Sequence, residues 1–224
     1  MLLILSGDIN LNPGPSNTSA SLNISLLNIR SASSITPELN KPPVLQEFIS
    51  DKNIDILALT ETWLTPDTLL ATLNSLTPPN YSLIHIPRSH GKGGGIALLH
   101  RSYLKIQTIA TPIFSTFEAL CVRISISSAS YTLLTIYRPP KSSKSQFLTE
   151  FSTLLEDLSS SPSELIITGD FNYTSIVQTL LLSHHSSPCS IHLIFLSLSR
   201  FQPIPLATFL TFSLLLHHPT FARK

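Results

Sequence analysis

The sequence predicts a layered α/β domain, in which buried strands carry polar side chains to one edge of a sheet. The first observation is residues 164–172 (ELIITGDFN), where an aliphatic run leads directly into Gly-Asp-Phe-Asn. The second is the order of elements before this run, which reads as two strands, a hairpin and a helix. The third is that several of these strands end in groups that can bind a metal ion or a phosphate.

Asp170 and Asn172 end the central run and are two residues apart. In an extended backbone their side chains would point to the same side. A carboxylate beside an amide is suited to hold a hydrated divalent cation or to orient a water next to a phosphate. The same residues are also typical of a strand that ends in an Asx-turn, and this alternative stays open.

Composition limits the classes of function. The chain has 224 residues, enough for one domain or one domain with a tail, and a hydrophobic content of 42% supplies a core. A net charge of +1 excludes a broad basic surface, so any contact with nucleic acid must come from a local cluster. Cys121 and Cys189 form no metal pattern and no disulfide framework, which indicates a reducing compartment. The apolar segments 1–5 and 206–216 are too short for a signal peptide or a membrane span.

Two early strands end in polar groups. Residues 21–30 alternate and then become apolar, which predicts a strand with Asn28 and Arg30 at its end. Residues 54–59 predict a second strand, and Glu61 follows it closely. Because strand ends of a layered sheet meet at one edge, these groups are expected to lie near Asp170.

The hairpin and its exit come next. Residues 117–127 and 131–137 are β-rich runs with a short connection, which fits an antiparallel hairpin. Two prolines stop the second strand just after Tyr137 and Arg138. The phenol can donate a hydrogen bond to a phosphoryl oxygen, and the guanidinium can bind phosphate with two nitrogens. A tyrosine that packs on proline is the structural alternative.

The remaining segments supply helices, loops and one more strand. Helices are predicted at 44–49, behind a Pro-Pro start, and at 145–158 with Ser145 as N-cap. Residues 64–90 are expected to be rich in loops. The glycine triplet before the predicted strand 96–100 is interpreted as a tight entry into that strand.

The N-terminal segment resembles a 2A-type ribosome-skipping peptide. Such peptides end in Asn-Pro-Gly-Pro, which stands here at 12–15 behind Asp8. Asn10 stands where that pattern has Glu. The resemblance implies that the peptide bond between Gly14 and Pro15 is not made.

Taken together, the motifs resemble the endonuclease/exonuclease/phosphatase superfamily, and within it the endonuclease domain of non-LTR retrotransposons of the chicken-repeat type. The resemblance runs over about 22–172. Its motifs are 27–31 (LNIRS), 59–64 (LTETWL), 93–97 (GGGIA), 117–120 (FEAL), 137–140 (YRPP) and 169–172 (GDFN). It implies a four-layer α/β sandwich of two mixed sheets between helices, incomplete in this chain.

The resemblance also implies the roles of the candidate residues. Glu61 would be the main metal ligand, and Asn28 would help to hold the metal or a water. Tyr137 would contact the scissile phosphate, Asp170 would orient or deprotonate the attacking water, and Asn172 would steady the phosphate. Mg²⁺ or Mn²⁺ suits this oxygen-rich set. The implied reaction nicks a target-site DNA duplex and leaves a 3′ hydroxyl for reverse transcription, which implies a nuclear location.

The segment after the last motif departs from this pattern. From residue 171 to residue 224 the sequence contains no Asp, Glu or Gly, and it lacks the Ser-Asp-His ending of the superfamily. We interpret 1–20 as an irregular segment, 21–172 as a partial domain and 173–224 as a poorly ordered tail derived from a frameshift. Without the missing strands, edges of the sheets are expected to stay uncovered.

Three functions remain open from the sequence. The first is a Mg²⁺-dependent DNA-nicking endonuclease of retrotransposon origin that is inactive in this copy. The second is a superfamily phosphatase that acts on a phosphoinositide or a small phosphoester. The third is a non-catalytic relic with weak nucleic-acid binding. The weak phosphate contacts assigned to Arg30 and Arg138 would serve the first two.

Overall fold

The computed structural model describes residues 21–33, 35–36, 39–88, 93–126, 129–161, 163–172, 191–196 and 209–215. Predictions for the 2A-like segment 1–20 and for most of the tail lie outside these residues. The strands are β1 (Ser21–Asn28), β2 (Ile35–Thr36), β3 (Leu39–Asn40), β4 (Ile56–Thr60), β5 (Tyr81–Ile86), β6 (Ile96–Arg101), β7 (Lys105–Ile109), β8 (Glu118–Ile126), β9 (Ala129–Tyr137), β10 (Glu164–Asp170), β11 (Ile191–Leu196) and β12 (Phe209–Leu215). The helices are α1 (Lys41–Asp51), α2 (Leu70–Leu76) and α3 (Lys144–Ser159).

The strands form two mixed five-stranded sheets and one small ribbon. Sheet 1 has the order β12-β1-β4-β6-β5, and sheet 2 has the order β11-β10-β9-β8-β7. In sheet 1 only β1 and β4 are parallel. In sheet 2 the strands β9, β10 and β11 are parallel, while β7, β8 and β9 are antiparallel. β2 and β3 pair only with each other among the described strands.

The core has three apolar layers. One cluster lies between the sheets and joins residues of β1, β4 and β6 to residues of β8, β9 and β10. A second packs α3 on the outer face of sheet 2 through Phe147, Phe151, Leu154 and Leu155. A third packs residues of α1 and α2 on the outer face of sheet 1. The molecule is therefore a four-layer α/β sandwich, as the resemblance implies.

Most predicted elements are confirmed, and seven others were not foreseen, among them β2, β3, β11 and β12. β1, α1, β4, β6, the β8–β9 hairpin, α3 and β10 lie where the sequence predicts them. Residues 64–90, however, contain α2 and β5 rather than loops alone, and β7 was not predicted. β5 lies between prolines that bound the strand rather than interrupt it.

The start of α3 corrects a capping prediction. The N-cap is Ser143, not Ser145, because the Ser143 hydroxyl accepts a hydrogen bond from the backbone N–H of Gln146. Both serines precede the same apolar face, so periodicity alone could not separate them.

Two segments of the tail occupy sheet edges that we expected to be open. β11 pairs in parallel with β10, and β12 pairs antiparallel with β1. The strands on which Asn28 and Asp170 lie are therefore internal in their sheets. The expectation of uncovered edges is wrong for β1 and β10, because aliphatic runs of the tail supply pairing partners.

Candidate active site at the ends of the parallel strands

Four strand ends meet at one end of the sandwich. Asn28 at the end of β1 pairs with Thr60 at the end of β4, and Glu61 follows. In sheet 2, Tyr137 at the end of β9 pairs with Asp170 at the end of β10. Both pairs are parallel, and the hydrogen bond from Asn28 to Asp170 places their carboxyl ends at the same edge, which is the usual place for sites in α/β folds.

The Asn28 side chain connects the two sheets. Its Nδ2 donates to Glu61 Oε1 and to Asp170 Oδ2, at 2.8 Å in both cases. Asn28 is 4% exposed, so these bonds lie in a largely dry environment. One amide nitrogen thus separates two carboxylates that come from different sheets. This is the contact on which the geometry of the site depends.

Asp170 is fully buried, and burial raises its pKa to about 6. The hydrogen bonds from Asn28 and from the backbone N–H of Asn172 oppose this rise, the Glu61 charge adds to it, and the Arg30 charge opposes it. A carboxyl group with such a pKa can accept a proton near neutral pH.

The backbone is not extended at Asn172, so the strand alternation that would place its side chain on the same side as Asp170 does not apply. Its φ is +47°, and its N–H donates to Asp170 Oδ1 at 3.2 Å, so the strand ends in an Asx-type turn. The Asn172 Nδ2 donates to the carbonyl of Arg138 at 2.9 Å. Asn172 therefore fixes the Asp170 carboxylate and the exit of β9 at the same time.

Tyr137 lies on the side of β9 that faces the other sheet, where it is 5% exposed. Burial raises the pKa of its phenol, and the charge of Glu61 raises it further. Asp170 and Glu118 act in the same direction as Glu61, while Arg88 opposes them. The phenol therefore stays protonated and can act as a hydrogen-bond donor.

The Glu61 turn is held between two other segments. Its carbonyl accepts from the N–H of Ser31 at 2.8 Å, and the next two N–H groups donate to the carbonyls of Gly95 and Gly94. Glu61 has a φ of +52°, which costs about 1 to 2 kcal/mol in a non-glycine residue. Such strain is typical of functional sites, where surrounding contacts impose it.

The glycine triplet is an entry into β6, as predicted, and it also shapes the Glu61 turn. Gly95 has a φ of +84°, and a Cβ there would lie 2.6 Å from Thr62 Oγ1. Any side chain at this position would push the turn away from β6. The glycine is therefore required by both conformation and space.

Arg30 and Arg138 are placed differently. Arg30 is exposed beside the site, and its charge acts on Asp170. Arg138 is 1% exposed, lies over the Phe147 ring and donates to the carbonyls of Phe171 and Ser142. Its guanidinium lies on the α3 side of sheet 2 and makes structural bonds there, and the phosphate contact predicted for it stays a prediction.

Three charged residues at this edge were missed by sequence reasoning. Lys41 donates to the carbonyls of Ile29, Arg30 and Ser31, directly after β1. Glu118 accepts from Arg88 and from the N–H of Gly95, and Arg88 lies 5.8 Å from the Tyr137 ring centre. Glu118 belongs to the quoted motif 117–120, which was a usable signal. No sequence signal pointed to Lys41 or Arg88, because their partners are backbone or side-chain atoms of other segments.

The residues at this edge fit a hydrated divalent cation. The carboxylates of Glu61 and Asp170 both accept from Asn28 Nδ2. The buried Asn28 Oδ1 has no hydrogen-bond partner among the described residues. Among the described residues, no three or more His, Cys, Asp or Glu side chains are placed so that they could hold a metal ion together. Mg²⁺ needs few carboxylates because it keeps several waters.

A family comparison agrees with this geometry. The profile of the endonuclease/exonuclease/phosphatase family matches residues 20–180, which is most of the chain. The chain belongs to this family. Its members are phosphodiesterases, nucleases and phosphatases that generally depend on a divalent metal. Among curated proteins there is no match.

Solved structures of the family share the fold. The human Nocturnin catalytic domain with a bound sulfate anion matches with a TM-score of 0.53 and 16% identity, over 75% of this chain and 70% of that chain. D. rerio TDP2 complexed with a single-strand DNA product gives 0.53 and 17%, over 75% and 66%. The AP endonuclease LMAP from Leishmania major gives 0.54 and 18%, over 69% and 56%. At these identities the similarity establishes the fold alone. In the described part of the chain, no helix has the length and hydropathy of a membrane span.

Proposed function

We propose that the chain is a Mg²⁺-dependent phosphodiesterase domain of retrotransposon origin that nicks DNA, and that this copy has lost most of its activity. The observation that carries the proposal is the Asn28 amide, which holds the carboxylates of Glu61 and Asp170 at 2.8 Å each. Two carboxylates kept this close, in a largely buried place, fit a site that handles a cation and a phosphate better than a purely structural turn.

Glu61 and Asn28 are the residues that would hold the metal, through a carboxylate oxygen and the amide oxygen. When bound, the ion would neutralise charge on the phosphate oxygens and favour the attacking water. The ordered Glu61 turn supports this assignment, since hydrogen bonds to Gly94 and Gly95 hold its backbone in a strained conformation.

Tyr137, Asp170 and Asn172 would act on the phosphate and the water. The Tyr137 phenol, protonated because of burial and neighbouring carboxylates, would donate to a phosphoryl oxygen. Asp170 would accept the proton of the attacking water, since its pKa is about 6. Asn172 would steady this arrangement by bonding to Asp170 and to the β9 exit.

DNA as the substrate is supported by the six motifs that resemble those of retrotransposon endonucleases and by the fold shared with D. rerio TDP2, which was solved with a single-strand DNA product. A DNA substrate implies action in the nucleus. The proposed reduction in activity rests on residues 173–224, which contain no Asp or Glu that could pair with a histidine. In the superfamily pattern this histidine would stabilise or protonate the phosphate in the transition state, and loss of such a general acid costs about 10²- to 10⁴-fold in rate.

Supercoiled plasmid tests the proposal. With Mg²⁺ and protein in excess over DNA, we expect slow conversion to the open circular form and no conversion in EDTA. Glu61→Gln and Asp170→Asn should each remove the remaining conversion, because each neutralises one of the two carboxylates. Glu156→Gln, an exposed residue of α3, is the matched control and should nick like the parent chain.

The competing functions give other results. Nicking that persists in both Glu61→Gln and Asp170→Asn would show that it comes from a contaminant and would reject the proposal. Release of inorganic phosphate from a monoester, without nicking, would favour the phosphatase. A folded chain that neither nicks DNA nor releases phosphate would be the non-catalytic relic.

A further inference from the structure

Trp63 is exposed in a place where its neighbours are not. Its exposed fraction is 49%, whereas Thr62 and Leu64 on either side are 0% and 3% exposed. It lies two residues after Glu61, in the turn that bonds to Gly94 and Gly95, so its backbone borders the candidate site. A tryptophan left half in solvent at the border of a site is typical of a ligand contact, because it offers a large rigid surface at little entropic cost.

The backbone holds Trp63 in this exposed position. Its φ is +57°, in the left-handed region, and its N–H donates to the carbonyl of Gly94 at 2.9 Å. A β-turn with glycine or asparagine would adopt this conformation with less strain. Strain that the surroundings impose on a large aromatic residue points to a role for its side chain outside the fold.

The surface around the indole fits a nucleotide strand. A Cβ on Gly93 would lie 3.5 Å from the indole Nε1, so Gly93 packs beside that edge of the ring without covering its face with a side chain. Arg88 lies next to Gly94 and near the Tyr137 ring but is paired with Glu118, whereas the exposed Arg30 supplies a positive charge at this edge. An aromatic face beside a cation is the pattern that binds successive bases and phosphates of a strand.

We infer that Trp63 stacks on a base of the DNA strand next to the scissile phosphate, and that this contact selects polynucleotides over small phosphoesters. The inference rests on the proposed function, because it uses the same phosphate position. A small phosphoester has no base at that distance and would not use the indole. The proposal therefore makes Trp63 a residue for substrate selection and not for the chemical step.

Fluorescence tests the contact directly, because Trp63 is the only tryptophan in the chain. We expect a short single-stranded oligonucleotide, added in EDTA so that it is not cleaved, to quench the indole emission with saturation. Inorganic phosphate at the same ionic strength should not quench it. Absence of quenching at DNA concentrations that are shown to bind by anisotropy would overturn the inference.

Variants give a second measurement. Trp63→Phe should keep most of the affinity for DNA, while Trp63→Ala should weaken it about 5- to 150-fold, the usual effect of removing one base–aromatic stack. Trp63→Asn tolerates the left-handed backbone, so it should fold even if Trp63→Ala does not, and it should show the same loss. Tyr103→Ala is the matched control, since Tyr103 is an exposed aromatic beyond the opposite end of β6. Equal affinities of Trp63→Asn and the parent chain would reject the contact.

The two proposals fail in different ways. Quenching without nicking would leave Trp63 as a DNA contact of an inactive domain and would reject the nicking function. Nicking without quenching would keep the function and reject the role of Trp63.

Discussion

At the scale of residues, the site depends on side chains that hold other side chains. Asn28 keeps Glu61 and Asp170 together, and Asn172 fixes Asp170 against the β9 exit. Each of these amides is an uncharged donor between charged or partly charged acceptors. An amide N–H group can donate to a carboxylate oxygen without adding charge. The carboxylates of Glu61 and Asp170 can therefore stay close without a salt bridge to a buried cation.

Arg138 is the residue whose role the structure changes most, and its substitution distinguishes the two interpretations. Arg138→Ala should lower the free energy of unfolding by about 2 to 4 kcal/mol, because it removes buried bonds to two carbonyls and leaves a cavity on Phe147. Urea unfolding measures this loss. Arg30→Ala, an exposed arginine, should change stability by less than about 0.5 kcal/mol.

The opposite outcome would restore the sequence-based interpretation. If Arg138→Ala kept the stability of the parent chain and weakened DNA binding instead, the guanidinium would be a phosphate contact after all.

At the scale of elements, close packing of β9 and β10 positions Asp170. Gly169 pairs with Ile136, and a Cβ on Gly169 would lie 2.3 Å from the Ile136 carbonyl oxygen. A backbone atom cannot move aside as a flexible side chain can. The glycine of the Gly-Asp-Phe-Asn motif is thus explained by strand packing and not by a turn.

Gly169→Ala should therefore separate the two strands next to Asp170. We expect a loss of about 1 to 3 kcal/mol in the free energy of unfolding, the usual cost of overpacking, and a loss of nicking that is larger than the loss of folded protein. Circular dichroism during urea unfolding and the plasmid assay measure the two effects. Glu164→Ala, at the other end of β10, should show neither effect, and equal behaviour of the two variants would contradict the packing explanation.

The sequence predicted the elements that carry their own signal. α3 has a continuous apolar face, and β10 is an aliphatic run, so both were found from periodicity. α2 is short, mostly exposed and has no side-chain cap, and β7 is largely exposed. These two elements exist because neighbours pack on them or pair with them, and that information is not local.

The residues of the candidate site were likewise predictable only where the local sequence carries a signal. Asn28, Glu61 and Asp170 could be named because each stands at or just after the end of a buried strand, and strand ends converge. The strand exit at Asn172 could not be decided, since extended and Asx-turn conformations fit the same residues. Lys41 was out of reach, because no sequence pattern reveals that an amine will bind three carbonyls of another segment.

At the scale of the whole molecule, two sheets face each other across an apolar layer that also contains the Tyr137 ring. Stability and site geometry are therefore linked, since a shift of one sheet would change the distance between Glu61 and Asp170. The same layer and the helix-covered face of sheet 2 bury groups that ionise in base. Burial raises the pKa of Cys121 to about 11 and raises the pKa of Tyr131 and Tyr137.

These shifts predict that the fold loses stability in base. A thiol with a raised pKa in the folded state ionises first in the unfolded chain, so rising pH favours unfolding between the two pKa values. For Cys121 the pKa rises from 9.0 to about 11, which corresponds to a loss of about 2 kcal/mol by about pH 10.5. Urea unfolding at about pH 7.5 and about pH 10.5 should show this loss for the parent chain. Cys121→Ala, which has no thiol to ionise, should show a smaller loss over the same interval, although the buried tyrosines still contribute. Equal losses in the two proteins would mean that the Cys121 thiol ionises in the folded state as readily as in the unfolded chain, and that the apolar cover of α3 over this part of sheet 2 is open to solvent.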